Sequence, residues 1–502
     1  MVGTYQPLVM AAVTPAIAER REDKAEAARR PEAWPLPLRR SSRGLQRSSS
    51  RLYAIATPSK EERIPLTPLP DAPPIADARL RAAAYRTGRV TTLVGLTALY
   101  ACYYLARGAL DVAKQPLIAA HVFDADQLGT IGATMTAAYA VGKLVNGWIA
   151  DRVHVGRFLA TGLLLSAVVN VAMGWNTGFA LACGLWLLNG LFQGVGAAAS
   201  VRGLTQWFSA GERGRVYGFW SGAHSLGELL TLVGTAALIS ASGWRAGFFG
   251  PGIACAFVAL VAALVLRDRP QAYGLPEVHA WRGEPLDDRV TTTRDAQLEV
   301  LRNPAIWVCA LASALLFVTR YGIKSWGVYY LQETHGYSLV GASLTIGINA
   351  VSGIAGALAY GWVSDVWFRG RRPPATLLFG ALEVAAVVTM FYGPRSTPVL
   401  IGSLCVYGFA LAGVLAALGG LFAVDLSSHR ASGFAMGFIG FVSYIGATAQ
   451  EKLSGWLIRA NTVTGPDGAT HVDFSRPVAV WVGASVASML LAATLWRARR
   501  RS

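Results

Sequence analysis

From about residue 91 onward the chain alternates long apolar stretches with short polar connections. A membrane-crossing α-helix needs about 20 predominantly apolar residues, so each stretch predicts one crossing. The predicted spans are 91–118, 130–149, 158–174, 180–203, 216–239, 246–266, 306–331, 339–363, 375–392, 398–422, 432–458 and 478–496. These twelve spans specify an all-α polytopic membrane protein. Between the sixth and seventh lies a longer polar loop, which divides the chain into a leading segment 1–86, a six-helix half 87–270, a central loop 271–303 and a second six-helix half 304–502.

Basic residues fix the sides, because Lys and Arg in short loops stay on the cytosolic face. Arg81, Arg86 and Arg89 precede the first span, and Arg152, Arg157, Arg213, Arg215, Arg267, Arg269, Arg369, Arg371, Arg372 and Arg430 fill alternate connections. The other loops are sparse in charge or carry Asp124, Asp126, Glu333 and Asp467. Both termini therefore face the cytosol or its organellar equivalent, as an even number of spans requires.

Composition narrows the function classes. The chain has 502 residues, 53% hydrophobic and 15% charged, with a net charge of +16. That charge sits in juxtamembrane loops and the leading segment, with no basic stripe of the kind that binds nucleic acid. The five cysteines fall inside apolar spans without paired spacing and read as small buried side chains. No nucleotide-binding loop, metal cluster or nucleophile triad is visible, so neither an enzyme nor a cofactor is expected.

The leading segment is rich in Arg, Ala, Pro and Ser, and its window LRRSSRGLQRSSSRLYAIATPSK (residues 38–60) is free of acids. Such composition is that of an organelle transit peptide, with processing near Tyr53–Ala56 leaving a chain that starts at about Thr57. A plastid envelope is the expected location. The acidic residues Glu19, Glu22, Asp23 and Glu26 favour a disordered cytosolic tail instead, with the endoplasmic reticulum or plasma membrane as the alternative locations.

Two arginines carry the functional signal. Arg107 and Arg320 lie inside the first and seventh spans, 213 residues apart. An arginine near a helix centre costs about 2.5–3.5 kcal/mol on insertion scales and marks a functional site by default. The segment GWIADRVHVGR (Gly147–Arg157) recurs as GWVSDVWFRGR (Gly361–Arg371), an offset of 214 residues. The matched offsets show a duplicated helical unit with one arginine in the first helix of each copy. Both are expected to face one central cavity. In the repeated motif, Gly147 and Gly361 are expected to let helices approach closely, while Asp151, Arg152 and Asp365 form contacts that break and reform as the halves rock.

The stretches Asn189–Leu230 and Asn303–Thr334 contain Q-G-x-G, W-F-S-x-x-E-R-G, W-S-x-x-H and R-Y-G-I-x-x-W. With the loop motif, they resemble the organophosphate:phosphate antiporter family of the major facilitator superfamily, from about Val94 to Leu495. The resemblance implies a major facilitator fold and exchange of an organic phosphate for inorganic phosphate by a monomer in lipid. It implies substrate-binding roles for Arg107, Arg320, Lys143, His224 and Lys452. Guanidinium forks suit phosphate and histidine changes protonation near neutral pH, which agrees with those roles. Asp111 is an alternative partner for Arg107, Asp151 for Lys143 and Glu228 for His224. The rival readings are a sugar-phosphate sensor of the same family and a proton-coupled carrier of another small anion. Four departures from the family pattern put the organic half of the substrate in question: Gly108 after Arg107, Phe317 in place of a tyrosine, Ser325 in place of an acid beside Lys324, and no carboxylate around Asn349–Val351.

Overall fold

The computed structural model describes residues 66–150, 152–283, 294–427, 431–464 and 470–497. The acid-free Arg/Ser window and Asp151 lie outside them. The long helices are α1 (Ala78–Ala119), α2 (Ala125–Ala150), α3 (Val155–Trp175), α4 (Phe179–Trp207), α5 (Arg215–Ser242, extended at its start to Ala210), α6 (Ala246–Val265), α7 (Pro304–His335), α8 (Leu339–Trp367), α9 (Arg372–Tyr392), α10 (Thr397–Leu426), α11 (Ser432–Ala460) and α12 (Ser475–Thr494). Each predicted span coincides with one of them. Eleven among the described residues are long and apolar enough to cross a membrane. The twelfth, α2, is 26 residues long but carries many Gly, Thr and Ala. It packs against α4 and α11, so much of its surface meets protein rather than lipid.

Local chemistry sets the helix ends. α1 starts nine residues before the expected boundary at 87, because the Asp77 carboxylate accepts hydrogen bonds from the amides of Arg79 and Leu80. α7 starts with Asn303 capping Ala305 and Pro304 in the first turn, and stops at Gly336 with φ 67°. Three helices relax into π-helical turns, α5 at Thr231–Thr235, α8 at Val363–Trp367 and α10 at Ala417–Leu421. Such turns free backbone groups and often mark functional helices.

On the basic-loop side the first half is tied down by its leading segment. The His154 amide donates to the Leu66 carbonyl at 2.9 Å, the Leu69 amide to Asp268 at 2.8 Å, and Arg269 pairs with Asp71 at 2.8 Å. The central loop folds against the same surface, stacking Trp281 on Tyr85 with ring centroids 4.8 Å apart. Burial pushes the Glu212 carboxyl up, but the hydrogen bond and charge of Arg89, with the charge of Arg282, leave it below the usual carboxylate range. Burial holds the His154 imidazole below its usual range despite the nearby Asp268. On the opposite side a short hairpin, β1 (Thr462–Thr464) and β2 (Thr470–Val472), joins α11 to α12.

Candidate functional site

The two halves meet around a cavity of about 920 Å³. Its walls come from both halves: Tyr100 and Tyr104 of α1, Tyr139 and Lys143 of α2, the face of α5 from Arg215 to Glu228, Arg320 and Lys324 of α7, Asn349–Leu358 of α8, Tyr407–Leu415 of α10 and Tyr444 of α11. The lining reaches the start of α5 and the last third of α8, both next to basic loops. The cavity therefore opens toward the side of the basic loops.

Arg320 and Arg107 meet this cavity differently. Arg320 lines it, and a guanidinium can only donate, so its 3.0 Å bond to Nε2 of His224 requires that nitrogen to be the acceptor. Glu228, one turn along α5, is 3.7 Å from the same nitrogen, so the expected His–Glu hydrogen bond gives way to the arginine. Phe317 lies under the guanidinium at 5.4 Å, on the face where a tyrosine would have offered a hydroxyl.

Arg107 is buried and does not line the cavity. It donates to the Tyr321 hydroxyl across the interface and lies over the Tyr139 ring at 4.4 Å, with Tyr104 and Tyr444 at 5.8 Å. Those three rings line the cavity, so Arg107 sits one aromatic layer behind its wall. No hydrogen bond or ion pair joins it to Asp111, whose carboxylate accepts from Ser325 at 2.9 Å.

The remaining expected residues divide. Lys143 lines the cavity, with its ammonium 5.5 Å from the Tyr444 ring and 5.9 Å from Tyr139. Lys452 does not line it. Consecutive helix positions diverge by about 100°, and Lys452 turns outward to pair with Asp126 at 2.6 Å and Thr130 at 3.0 Å, while its neighbour Glu451 turns inward. In the repeated loop motif, Asp365 pairs with Arg372 at 2.7 Å, and Arg152 donates to the Trp148 carbonyl. Gly147 and Gly361 are not points of close approach: a Cβ at Gly147 would meet only Ala198 at 3.9 Å, and at Gly361 nothing within 4 Å. Close approach occurs deeper, at Gly142 and Gly194, because the motif lies where the chain leaves the bundle.

Away from the basic loops the interface is shut by residues the motifs did not single out as a unit. The Lys114 ammonium is fully buried, 3.1 Å from Glu451 and 3.7 Å from the centre of the Trp326 ring, and it also donates to Ser325. The Trp326 indole donates to Glu451 at 3.2 Å. Lys114 is seven residues beyond Arg107 and so shares its helix face; its place in an apolar span was the available signal. Desolvated pairs of this kind are costly to break one-sidedly.

The Major Facilitator Superfamily profile matches residues 96–449. The chain belongs to the major facilitator superfamily. It is 34% identical over 395 residues to the membrane sensor protein UhpC of Salmonella typhimurium, covering 77% of this chain and 88% of that protein. It is 33% identical over 399 residues to the glycerol-3-phosphate transporter of Bacillus subtilis, 76% of this chain and 88% of that one. It is 32% identical over 392 residues to the probable hexose phosphate transport protein of Chlamydia pneumoniae, 74% and 86% respectively. Among solved structures, a bacterial homologue of the human lysosomal transporter Spinster, in an inward-facing and unoccupied conformation, superposes with a TM-score of 0.65 at 18% identity, covering 81% of this chain and 94% of that one. The nucleoside transporter NupG does so with 0.61 at 15%, covering 81% and 100%. These two likenesses concern the fold. This superfamily member is a multi-pass integral membrane protein, as its spans imply.

Proposed function

We propose that this protein is a secondary-active antiporter that exchanges an organic phosphate for inorganic phosphate by alternating access. One observation carries the reading. Arg107, Lys143, Arg320 and Lys324 converge on the centre of the interface, while among the described residues the nearby carboxylates outside the Lys114–Glu451 pair are Asp111 and Glu228. Among these residues the cations outnumber the carboxylates by two in a low-dielectric setting, an excess that a phosphate monoester dianion would neutralise. The relatives named for hexose phosphate and glycerol 3-phosphate support the organic half of the substrate.

In this mechanism the dianion binds Arg320 in the cytosol-open cavity and draws the tyrosine layer and Arg107 toward it. The halves then close behind the substrate while the outer Lys114–Glu451 contact parts. An empty carrier keeps two unneutralised charges, which oppose closure, so return is fast only with another phosphate-bearing anion. Exchange follows. Vesicles loaded with inorganic phosphate should take up labelled organic phosphate, and unloaded vesicles should not; equal uptake by both would exclude antiport.

The likeness to a membrane sensor protein motivates a second reading, in which the same site binds a sugar phosphate and signals without transport. Binding in detergent without counterflow in vesicles would select it. The plastid location is tested by fusing residues 1–86 to a fluorescent reporter: plastid fluorescence with a shortened fusion is expected, and a full-length cytosolic or endoplasmic-reticulum signal would overturn it.

A further inference from the structure

Along the seam between α1 and α7, side-chain hydrogen bonds join one half to the other, each farther from the basic loops than the last. Arg107 donates to the Tyr321 hydroxyl, Ser325 donates to Asp111 at 2.9 Å, Lys114 donates to the Ser325 hydroxyl, and Gln332 donates to Gln115 at 3.5 Å. Asp111 lies one helical turn, about 6 Å, beyond Arg107, so the arginine forms the innermost rung. Farther out, Lys114 pairs with Glu451 of the other half at 3.1 Å. Opening the outer end of the interface requires these contacts to part.

The repeat is unequal at this innermost rung. Arg107 and Arg320 hold matching places, and the residue after each is Gly108 in the first copy and Tyr321 in the second. Tyr321 offers α1 a phenol oxygen, whereas Gly108 has no side chain to offer α7 in return. Arg320 bonds to His224 at the cavity wall, while Arg107 is held at the seam. The Tyr321 side chain is buried, with its ring centre 5.9 Å from that of Phe317 and 6.1 Å from that of Tyr444. Those ring contacts fix where the hydroxyl points, and they do not depend on it.

We propose that Tyr321 is a positioning residue that couples phosphate binding to opening of the outer seam: in the empty carrier its hydroxyl holds Arg107, and phosphate draws the guanidinium away. The inference rests on the organic-phosphate reading above. Arg107 exchanges a neutral acceptor for a dianion, and a hydrogen bond between two ionised groups is the stronger. Its departure removes the innermost rung, so the seam loses that cross-half bond only when substrate is bound. By linkage, whatever loosens the rung also tightens phosphate binding. The same hydroxyl is thus a competitor for Arg107 and a lock on the seam.

The test introduces Tyr321→Phe, which keeps the ring and removes the acceptor, alongside an otherwise wild-type chain, both carrying Thr130→Cys as an outer-side probe. Thiol labelling from outside is followed as inorganic phosphate is added, and phosphate binding is measured in detergent. With Tyr321 intact, saturating phosphate should raise the labelling rate on the order of 10-fold. Tyr321→Phe should label faster without phosphate, gain no more than about 2-fold from it, and bind phosphate about 5-fold more tightly, the effect of one hydrogen bond. A residue that only packs would leave binding unchanged or weaken it, and either result overturns the proposal, as does a labelling response to phosphate that matches the intact chain. Should Tyr321→Phe fail to insert, Tyr321→Leu removes the same acceptor and is read in the same way. Phosphate that binds the intact chain without changing its labelling refutes the coupling alone, whereas absence of phosphate binding overturns the organic-phosphate reading beneath it.

Discussion

The duplicated sequence makes the flank between α2 and α11 equivalent to the flank between α8 and α5, yet the two are in opposite states. The α2–α11 flank is zipped. A Cβ on Gly455 would fall 2.8 Å from the Gly129 Cα, Thr448 donates to Thr136 at 3.0 Å, the Tyr139 and Tyr444 rings lie 4.7 Å apart, and Lys452–Asp126 and Arg459–Asp124 pair at the outer rim. The α5–α8 flank is parted along its basic-loop half, where Arg215–Glu228 and Asn349–Leu358 form opposite walls of the cavity. Arg107 belongs to the closed flank and Arg320 to the open one. Sequence symmetry thus makes the two flanks equivalent, whereas the folded conformation uses the two copies unequally.

The sharpest challenge to this contrast is to replace each arginine by lysine, which keeps the charge and loses the fork. Both changes should slow exchange on the order of 100-fold while insertion survives. They should do so differently: Arg320→Lys weakens substrate binding from the cytosolic side, and Arg107→Lys mainly lowers turnover, because phosphate reaches it only as the tyrosine layer moves. Equal effects on binding and turnover would erase the distinction, and near-normal rates would show that neither fork holds phosphate.

The closed flank can be opened from its outer end. Glu451→Gln leaves the buried Lys114 without its counter-charge, so the contact should yield to an outward-open form whose population rises on the order of 10-fold. A cysteine placed at Thr130 should then label faster from outside. Unchanged labelling would mean that Lys114–Glu451 does not hold the flank shut.

A smaller effect is expected from His224→Gln. The imidazole accepts from Arg320 and so holds the guanidinium at the cavity wall. Glutamine keeps an acceptor at a different reach. The variant should transport a few-fold more slowly; an unchanged rate would relegate His224 to packing.

The smallest effect concerns the cytosolic clasp. His154 caps α3 by accepting from the Arg157 amide and is held neutral by burial, its ionisation depressed below the usual value of 6.5. A depressed value contributes stability above about pH 6.5 that is lost as pH falls through the folded value. Hydrogen exchange at residues 66–77 should therefore quicken below about pH 6 and not between pH 7 and 8. His154→Asn, which keeps a cap, should remove the pH dependence.

Much of the site was legible in the chain because intramembrane charges are rare and announce themselves. Arg107 and Arg320 could be named from position alone, whereas Lys143 and His224 were named through the family resemblance. Their partners could not. That Asp111 would serve Ser325 and not Arg107, that Lys452 would face outward while Glu451 turned in, and that the arginines would divide between a tyrosine cage and an open wall all depend on which helix of the other half lies opposite. A one-residue shift in facing changes the answer by about 100° of helix rotation, and no local pattern encodes the helix across the interface.

The linear chain alone sets the number and direction of the spans, the duplication and the presence of buried cations, because hydropathy, charge bias and repeat offset are properties read in one dimension. Which flank is closed and which arginine touches the cavity are settled by folding in three dimensions. Those outcomes depend on contacts between residues more than 200 positions apart, such as Arg107 with Tyr321 and Lys114 with Ser325. Such contacts exist only once both halves have folded and packed against each other.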